Sequence, residues 1–166
     1  MQFPICRVCL KNDLLCNACA ERVGENEIKI DEIKMFRRLN MLLKGQKSLK
    51  DVEIKRAVGK NVLMIITRKD DVSRLIGKDG RTVKKLAREL NRSVRIIEQL
   101  PNIKDFVTEA LFTVSIMGIN IIYKPEGETY KIRIPKSERT KLPISSDVFT
   151  SVSRSLFNVD VDVVFE

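Results

Sequence analysis

The sequence predicts an α+β chain: a small four-cysteine knuckle, then two small α/β modules built on one plan, the second a degenerate copy of the first. Three observations predict it. All four cysteines fall within fourteen residues near the start of the 166-residue chain, in "CRVCLKNDLLCNAC". From Lys29 onward apolar residues recur first at helical and then at strand spacing. After Pro101 the same succession of helix, strand, strand, helix, helix and strand begins again. The expected boundaries are residues 1–24, 27–100 and 101–166. Modules below about 80 residues have thin cores unless something staples them, which suits a metal at one end of the chain.

Hydrophobic residues make up 43% of the chain and charged residues 32%, the composition of an ordered, soluble protein. No apolar run reaches the roughly 18 residues of a membrane span, and "MQFPICRVC" lacks the basic-then-apolar plan of a signal peptide, so a reducing cytoplasm is the expected compartment. The net charge of +9 is concentrated: residues 1–44 carry +2, 45–100 carry +8 and 101–166 carry −1. A local excess of this kind marks a polyanion binder, against the plainer reading of a solvated charged face. The chain has no histidine, which excludes histidine acid–base and triad chemistry and Cys2His2 fingers.

In Cys6-x2-Cys9-x6-Cys16-x2-Cys19, each CxxC pair can turn its sulfurs inward from a tight knuckle, and the short spacer lets four thiolates meet around one Zn2+. Two disulfides would need an oxidising compartment. An iron–sulfur cluster could use the same ligands, but the spacing is not that of a ferredoxin. Four protein sulfurs leave no open position, so the ion is expected to be structural. Lys11, Asn12 and Asp13 suit a turn, with Leu14 and Leu15 expected to pack beneath it.

Residues 29–43 read as a helix stopped by Gly45. "DVEIKRAVGKNVLMIITR" reads as a hairpin whose second strand, nearly all apolar, is central. In "DDVSRLIGKDGRTVKKLARELN", Asp71 is expected to cap a short helix carrying Val72, Leu75 and Ile76. The glycines open a loop, and Val83, Leu86, Ala87 and Leu90 stripe a second helix. "SVRIIE" closes the unit as a strand. The GKDG loop lies between two short helices, is preceded by Leu75-Ile76 and is followed by Arg81, Lys84, Lys85 and Arg88. On these residues the segment from about 28 to 99 resembles the KH family, in the type II arrangement found in bacterial ribosomal proteins and in the transcription factor NusA.

The physical reading of that loop is close approach by a single nucleic-acid strand. Gly77 and Gly80 remove Cβ atoms, and the following helix offers N–H groups and a positive dipole to a phosphate. Lys78 adds a charge at the tip, Arg81, Lys84, Lys85 and Arg88 widen the field, and Arg74 joins them as a candidate contact. Asp79 opposes phosphate and is expected to cap the helix near Arg81. The resemblance implies that about four nucleotides are clamped, with bases in an apolar groove for which Val72, Ile76 and Val83 are candidates.

In the C-terminal segment, "IKDFVTEALF", "KSERTKL" and "SDVFTSVSRSLF" read as helices, "INIIYKPEGETYKIRIP" as two strands around a Pro-Glu-Gly turn, and "VDVDVVFE" as a last strand. A shift of 66 lays Ile76 on Leu142, Val83 on Phe149, Leu86 on Val152 and Leu90 on Leu156, and lays GKDG on Pro143-Ile144-Ser145-Ser146. The glycines and most of the basic face are gone, so this module is expected to have lost the phosphate clamp; an unrelated α/β domain stays open as the alternative.

Taken together, zinc knuckle, intact module and degenerate module resemble archaeal NusA-like KH proteins with an N-terminal zinc finger. That resemblance implies a single-stranded RNA-binding factor in transcription or RNA metabolism, not an enzyme. A nuclease or deaminase lacks support: the metal site is closed, and neither an HxE partner nor a carboxylate pair stands out. The alternative is an adaptor whose knuckle and C-terminal module dock on RNA polymerase or a ribonucleoprotein.

Overall fold

A computed structural model describes all 166 residues, Met1–Glu166. It is an α+β chain with two three-stranded sheets and a four-cysteine cluster near its N-terminus. The chain divides into two compact units, Met1–Val58 with Leu63–Gln99, and Gly59–Val62 with Leu100–Glu166. No helix is long and apolar enough to cross a membrane.

The first unit opens with two short helices, α1 (Arg7–Lys11) and α2 (Asn17–Gly24), followed by α3 (Ile30–Leu43). Its sheet orders β1 (Ile54–Val58), β2 (Val62–Thr67) and β3 (Ser93–Glu98) as β1-β2-β3, which makes the apolar "VLMIIT" strand central as expected. Strands β1 and β2 run antiparallel, with Ile54 opposite Thr67 and Val58 opposite Met64 and an irregularity between Ile54 and Arg56. Helices α4 (Lys69–Ile76) and α5 (Arg81–Leu90) lie between β2 and β3 in the chain.

Residues 1–24 do not form a core of their own. Ile5, Cys9 and Cys19 belong to the same buried cluster as Ile28, Ile33, Phe36, Leu63 and Leu86. The rings of Phe3 and Phe36 lie 5.7 Å apart, and Gln2 bridges Glu53 beside β1. Arg37 of α3 donates from Nε to the Cys9 carbonyl at 2.9 Å and from Nη2 to the Asp13 carbonyl at 3.1 Å. Leu15 packs against this core, whereas Leu14, expected to join it, is 84% exposed. The six-residue spacer is too short to turn both leucines inward while its ends hold sulfurs together.

In the second unit, α6 (Ile103–Ala110) precedes β4 (Gly118–Lys124) and β5 (Gly127–Ile134); a 3-10 turn over Lys136–Lys141 leads to α7 (Ser146–Phe157) and β6 (Asp160–Phe165). The sheet order is β4-β5-β6, antiparallel between β4 and β5 and parallel between β5 and β6. Alternate residues Tyr130, Ile132 and Ile134 of β5 point inward, and Phe106 of α6 stacks on Phe149 of α7 at 5.6 Å between centroids. The "KSERTKL" helix is thus the 3-10 turn. Of the positions matched by the 66-residue shift, Leu86, Leu90, Phe149 and Val152 are buried, but Ile76 is exposed.

Candidate functional site

The sequence-predicted residues gather at two places in the first unit. At the first, Cys6 and Cys16 occupy the N-cap positions of α1 and α2, which puts Cys9 and Cys19 one turn into each helix. All four Sγ atoms lie within 4.8 Å of one another, with Cys6 and Cys16 at 4.0 Å. A tetrahedral thiolate site with metal–sulfur bonds of about 2.3 Å needs sulfurs about 3.8 Å apart, so the cluster has the dimensions to hold a metal ion. Backbone amides support the sulfurs: Cys9 N–H points to Cys6 Sγ and Cys6 N–H to Cys19 Sγ, each at 3.5 Å, and Cys16 N–H donates to Cys9 Sγ at 3.1 Å.

The acidities separate accordingly. The Cys9 amide, then its thiol, lowers Cys6 to about 7. The Cys16 amide lowers Cys9, but burial and the neighbouring thiols outweigh it and push Cys9 up to about 12; burial likewise raises Cys19. Four thiols packed this closely can ionise together only around a cation, which is the chemistry of a closed metal site.

At the second place, the GKDG loop joins α4 to α5. Gly77 (φ +76°), Asp79 (φ +55°) and Gly80 (φ +71°) all have positive φ, a region glycine enters without steric cost and aspartate tolerates. The reason for glycine differs between the two ends. A Cβ on Gly77 would lie 2.4 Å from Thr82 Oγ1, whereas one on Gly80 would meet only the Lys84 stem at 3.5 Å and Val83 at 3.7 Å. The room expected at Gly77 for a ligand is therefore filled by the chain's own Thr82, and that glycine lets the loop close on itself.

Two capping expectations are corrected. Gly80, not Asp79, is the N-cap of α5, and no side chain caps that helix; at φ +55° Asp79 lies outside the extended region that a capping residue adopts. Helix α4 begins two residues before Asp71, with Arg68 as its N-cap. Asp71 is instead buried, accepting from Glu53 N at 3.0 Å, Arg68 Nε at 2.8 Å and Arg74 Nη1 at 3.0 Å. Burial pushes its carboxyl up, but the Glu53 amide and the Arg68 and Arg74 guanidinium groups outweigh burial and hold it below the usual carboxylate value.

That network engages Arg74, which also donates from Nε to the Ser48 carbonyl at 3.0 Å. It stands apart from the other cations named from the sequence. Lys78, Arg81, Lys85 and Arg88 are exposed, and Lys84, also exposed, donates to the Asp79 carbonyl at 3.1 Å. Val72 and Val83 are half-buried and Ile76 is exposed, so the three groove candidates all keep accessible apolar surface.

Helices α3, α4, α6 and α7 carry an acid in the first turn, complementing the positive end of the helix dipole. Helices α1, α2 and α5 carry none. The starts of α1 and α2 face the cysteine sulfurs. That of α5 faces the GKDG loop and brings Arg81, Lys84 and Lys85 to an end where cations are unfavourable. In the second unit the matching helix α7 has Asp147 in its first turn and Ser145 as a cap, whose Oγ accepts from Val148 N at 3.4 Å, while Ile144 is buried.

No protein-family model matches the chain, and no curated protein matches it. Among solved structures, the crystal structure of APE1850 is similar, with a TM-score of 0.64 and 20% identity over 84% of this chain and 100% of that one. At that identity the likeness is one of fold.

Proposed function

We propose that the chain binds single-stranded RNA, gripping the backbone at the GKDG loop of a type II KH module formed by residues 27–100, with residues 101–166 a second, degenerate copy. The observation that carries this reading is the start of α5: without a side-chain cap, free of acid in its first turn and carrying Arg81 and Lys84, it is an end of the helix dipole that a bound anion would stabilise. A phosphate beside Lys78 and the α5 amides meets that need, with Ile76 and its neighbours offering apolar surface to bases. The NusA-like resemblance supports a role in transcription or RNA metabolism. The four cysteines hold one structural Zn2+, in keeping with an all-sulfur donor set without an open position.

The test is Lys78→Asp, which sets a second carboxylate beside Asp79. It is expected to weaken binding of a short unstructured RNA more than tenfold by fluorescence anisotropy, without lowering thermal stability. Unchanged affinity sinks the clamp. A second reading, docking on a protein partner, is favoured by exposed Val8 and Leu14 around the cysteine cluster; it predicts weak RNA binding that ignores the loop. About three phosphate contacts would instead give a log–log salt slope near −2, at about −0.7 per phosphate.

A further inference from the structure

The loop and α5 carry five of the fifteen lysines and arginines of residues 45–100; Lys47 and Lys50 lie elsewhere. They lie after α3, where the chain turns through a 3-10 helix, Lys47–Leu49. A cavity of about 330 Å³ opens there, within the size range of small-ligand pockets. Its polar lining is Lys44, Lys47, Lys50, Asn40, Gln46 and the Met1 ammonium, which donates to the Lys50 carbonyl, and no acid lines it. Leu43 and Leu49, both buried, form its floor. The three lysines are exposed, and none forms an ion pair.

Helix dipole complementarity accounts for one of these charges. Lys44 is the C-cap residue of α3, where a cation is favourable. Lys47 and Lys50 lie past the helix end, and crowding three ammonium groups around one concavity is unfavourable without a counter-ion. The Leu43 carbonyl, which would oppose an anion, already accepts from Gln46 N at 3.4 Å. Lysine N–H groups and two side-chain amides over an apolar floor are the donors that a phosphate group requires.

The pocket is coupled to the clamp through Arg74. Its guanidinium holds the Ser48 carbonyl, in the middle of the 3-10 turn, at 3.0 Å, and Arg74 precedes Gly77 by less than one helical turn, about 5 Å. The lysine turn therefore borders the element that presents the GKDG loop.

We propose that the cavity of Lys44, Lys47 and Lys50 is a second phosphate site, which takes a backbone phosphate of the same RNA strand beyond the nucleotides held at the GKDG loop. This rests on the clamp reading above and extends the contact past the roughly four nucleotides of one KH module. The double variant Lys47→Glu/Lys50→Glu tests it, with Lys47→Arg/Lys50→Arg as the charge-conserving form and Lys34→Glu/Lys104→Glu, exposed lysines outside the pocket, as a control for net charge. Each is titrated with fluorescent oligouridylates of about five and about twelve nucleotides, the shorter close to one KH footprint.

The expected result is a loss of about tenfold or more for the longer RNA only, with the salt slope reduced in magnitude by about 0.7 for one lost phosphate contact. The arginine form keeps wild-type affinity and the control pair loses less than the pocket pair. Unchanged affinity and slope for the longer RNA, with Lys78→Asp still impairing both lengths, overturns the second site and leaves the clamp standing. Lys78→Asp without effect on either length refutes the clamp and with it the claim of a shared strand. An equal loss for both lengths, or an equal loss in the control pair, overturns the proposal in favour of the general electrostatic field.

Discussion

Asp71→Asn tests whether the buried carboxylate beneath α4 organises the first unit. The wild-type side chain is 1% exposed and takes one backbone and several guanidinium hydrogen bonds, among them Arg68 Nη2 at 2.7 Å and Arg74 Nη1 at 3.0 Å. Asparagine keeps the shape and can still accept from Glu53 N, but its contacts with two arginines lose their charge assistance, which distinguishes bonds of about 1.5–3 kcal/mol from neutral ones of about 0.5–1.5. The arginine side chains are 48% and 36% exposed, so water screens part of each, and a loss of about 2 kcal/mol follows rather than the larger cost of a sealed pair. In a unit of this size that is about 8–16 °C in Tm.

The pH dependence fixes the mechanism. Because the folded-state pKa of Asp71 lies below its ordinary value, its stabilisation is complete above the unfolded value near 4 and is lost as pH falls through the folded one. The stability gap between wild type and Asp71→Asn should be constant from pH 7 to about 5 and close below about 4. Circular dichroism melts across that range, with hydrogen exchange at the Glu53 amide, measure it. A Tm within about 2 °C of wild type at pH 7, or a gap that persists undiminished into acid, would refute the reasoning.

Gly77→Ala should destabilise more than Gly80→Ala: both have positive φ, but only the first drives a Cβ to 2.4 Å from Thr82 Oγ1. About 2–4 kcal/mol against about 1–2 is expected by urea unfolding, and the reverse order would rule out the inward role of Gly77. Cys16→Ser, or metal removal by a chelator, should lower the main transition of the first unit, because Cys9 and Cys19 share a buried cluster with Ile33 and Phe36. Separate melting of residues 1–24, with amide protection in α3 unchanged, would show that the knuckle is independent after all.

What the sequence makes legible is what is local. Ligand spacing shows the cysteine cluster because Cys6–Cys9 and Cys16–Cys19 each lie within one turn of chain, and periodicity places α3, α5 and the central strand β2 because each pattern is complete within its own segment. What escapes is settled by partners far along the chain. Asp71 reads as a cap until Glu53, 18 residues earlier, brings its amide to the carboxylate. Arg74 reads as one more cation until the Ser48 carbonyl, 26 residues away, holds it. Gly77 differs only in that its reason, Thr82, lies just past the loop, where side-chain identity gives no sign of contact.

The acid-free helix starts lie between these cases. The lack of Asp or Glu at the head of α5 is visible in "RTVKKLAREL", yet it acquires meaning only beside α3, α4, α6 and α7, all of which carry one. At α1 and α2 the N-cap residues are Cys6 and Cys16, whose sulfurs lie in the four-cysteine cluster. At α5 the first turn has neither an acid nor a side-chain cap. Replacing Asp147 and Ser145 of α7 by the residues at the start of α5 would therefore destabilise that helix, because nothing in its surroundings offsets the change. If α5 takes a phosphate as proposed, the same residues there are a cost in the free protein that the bound anion would offset, and RNA binding would raise the stability of this turn.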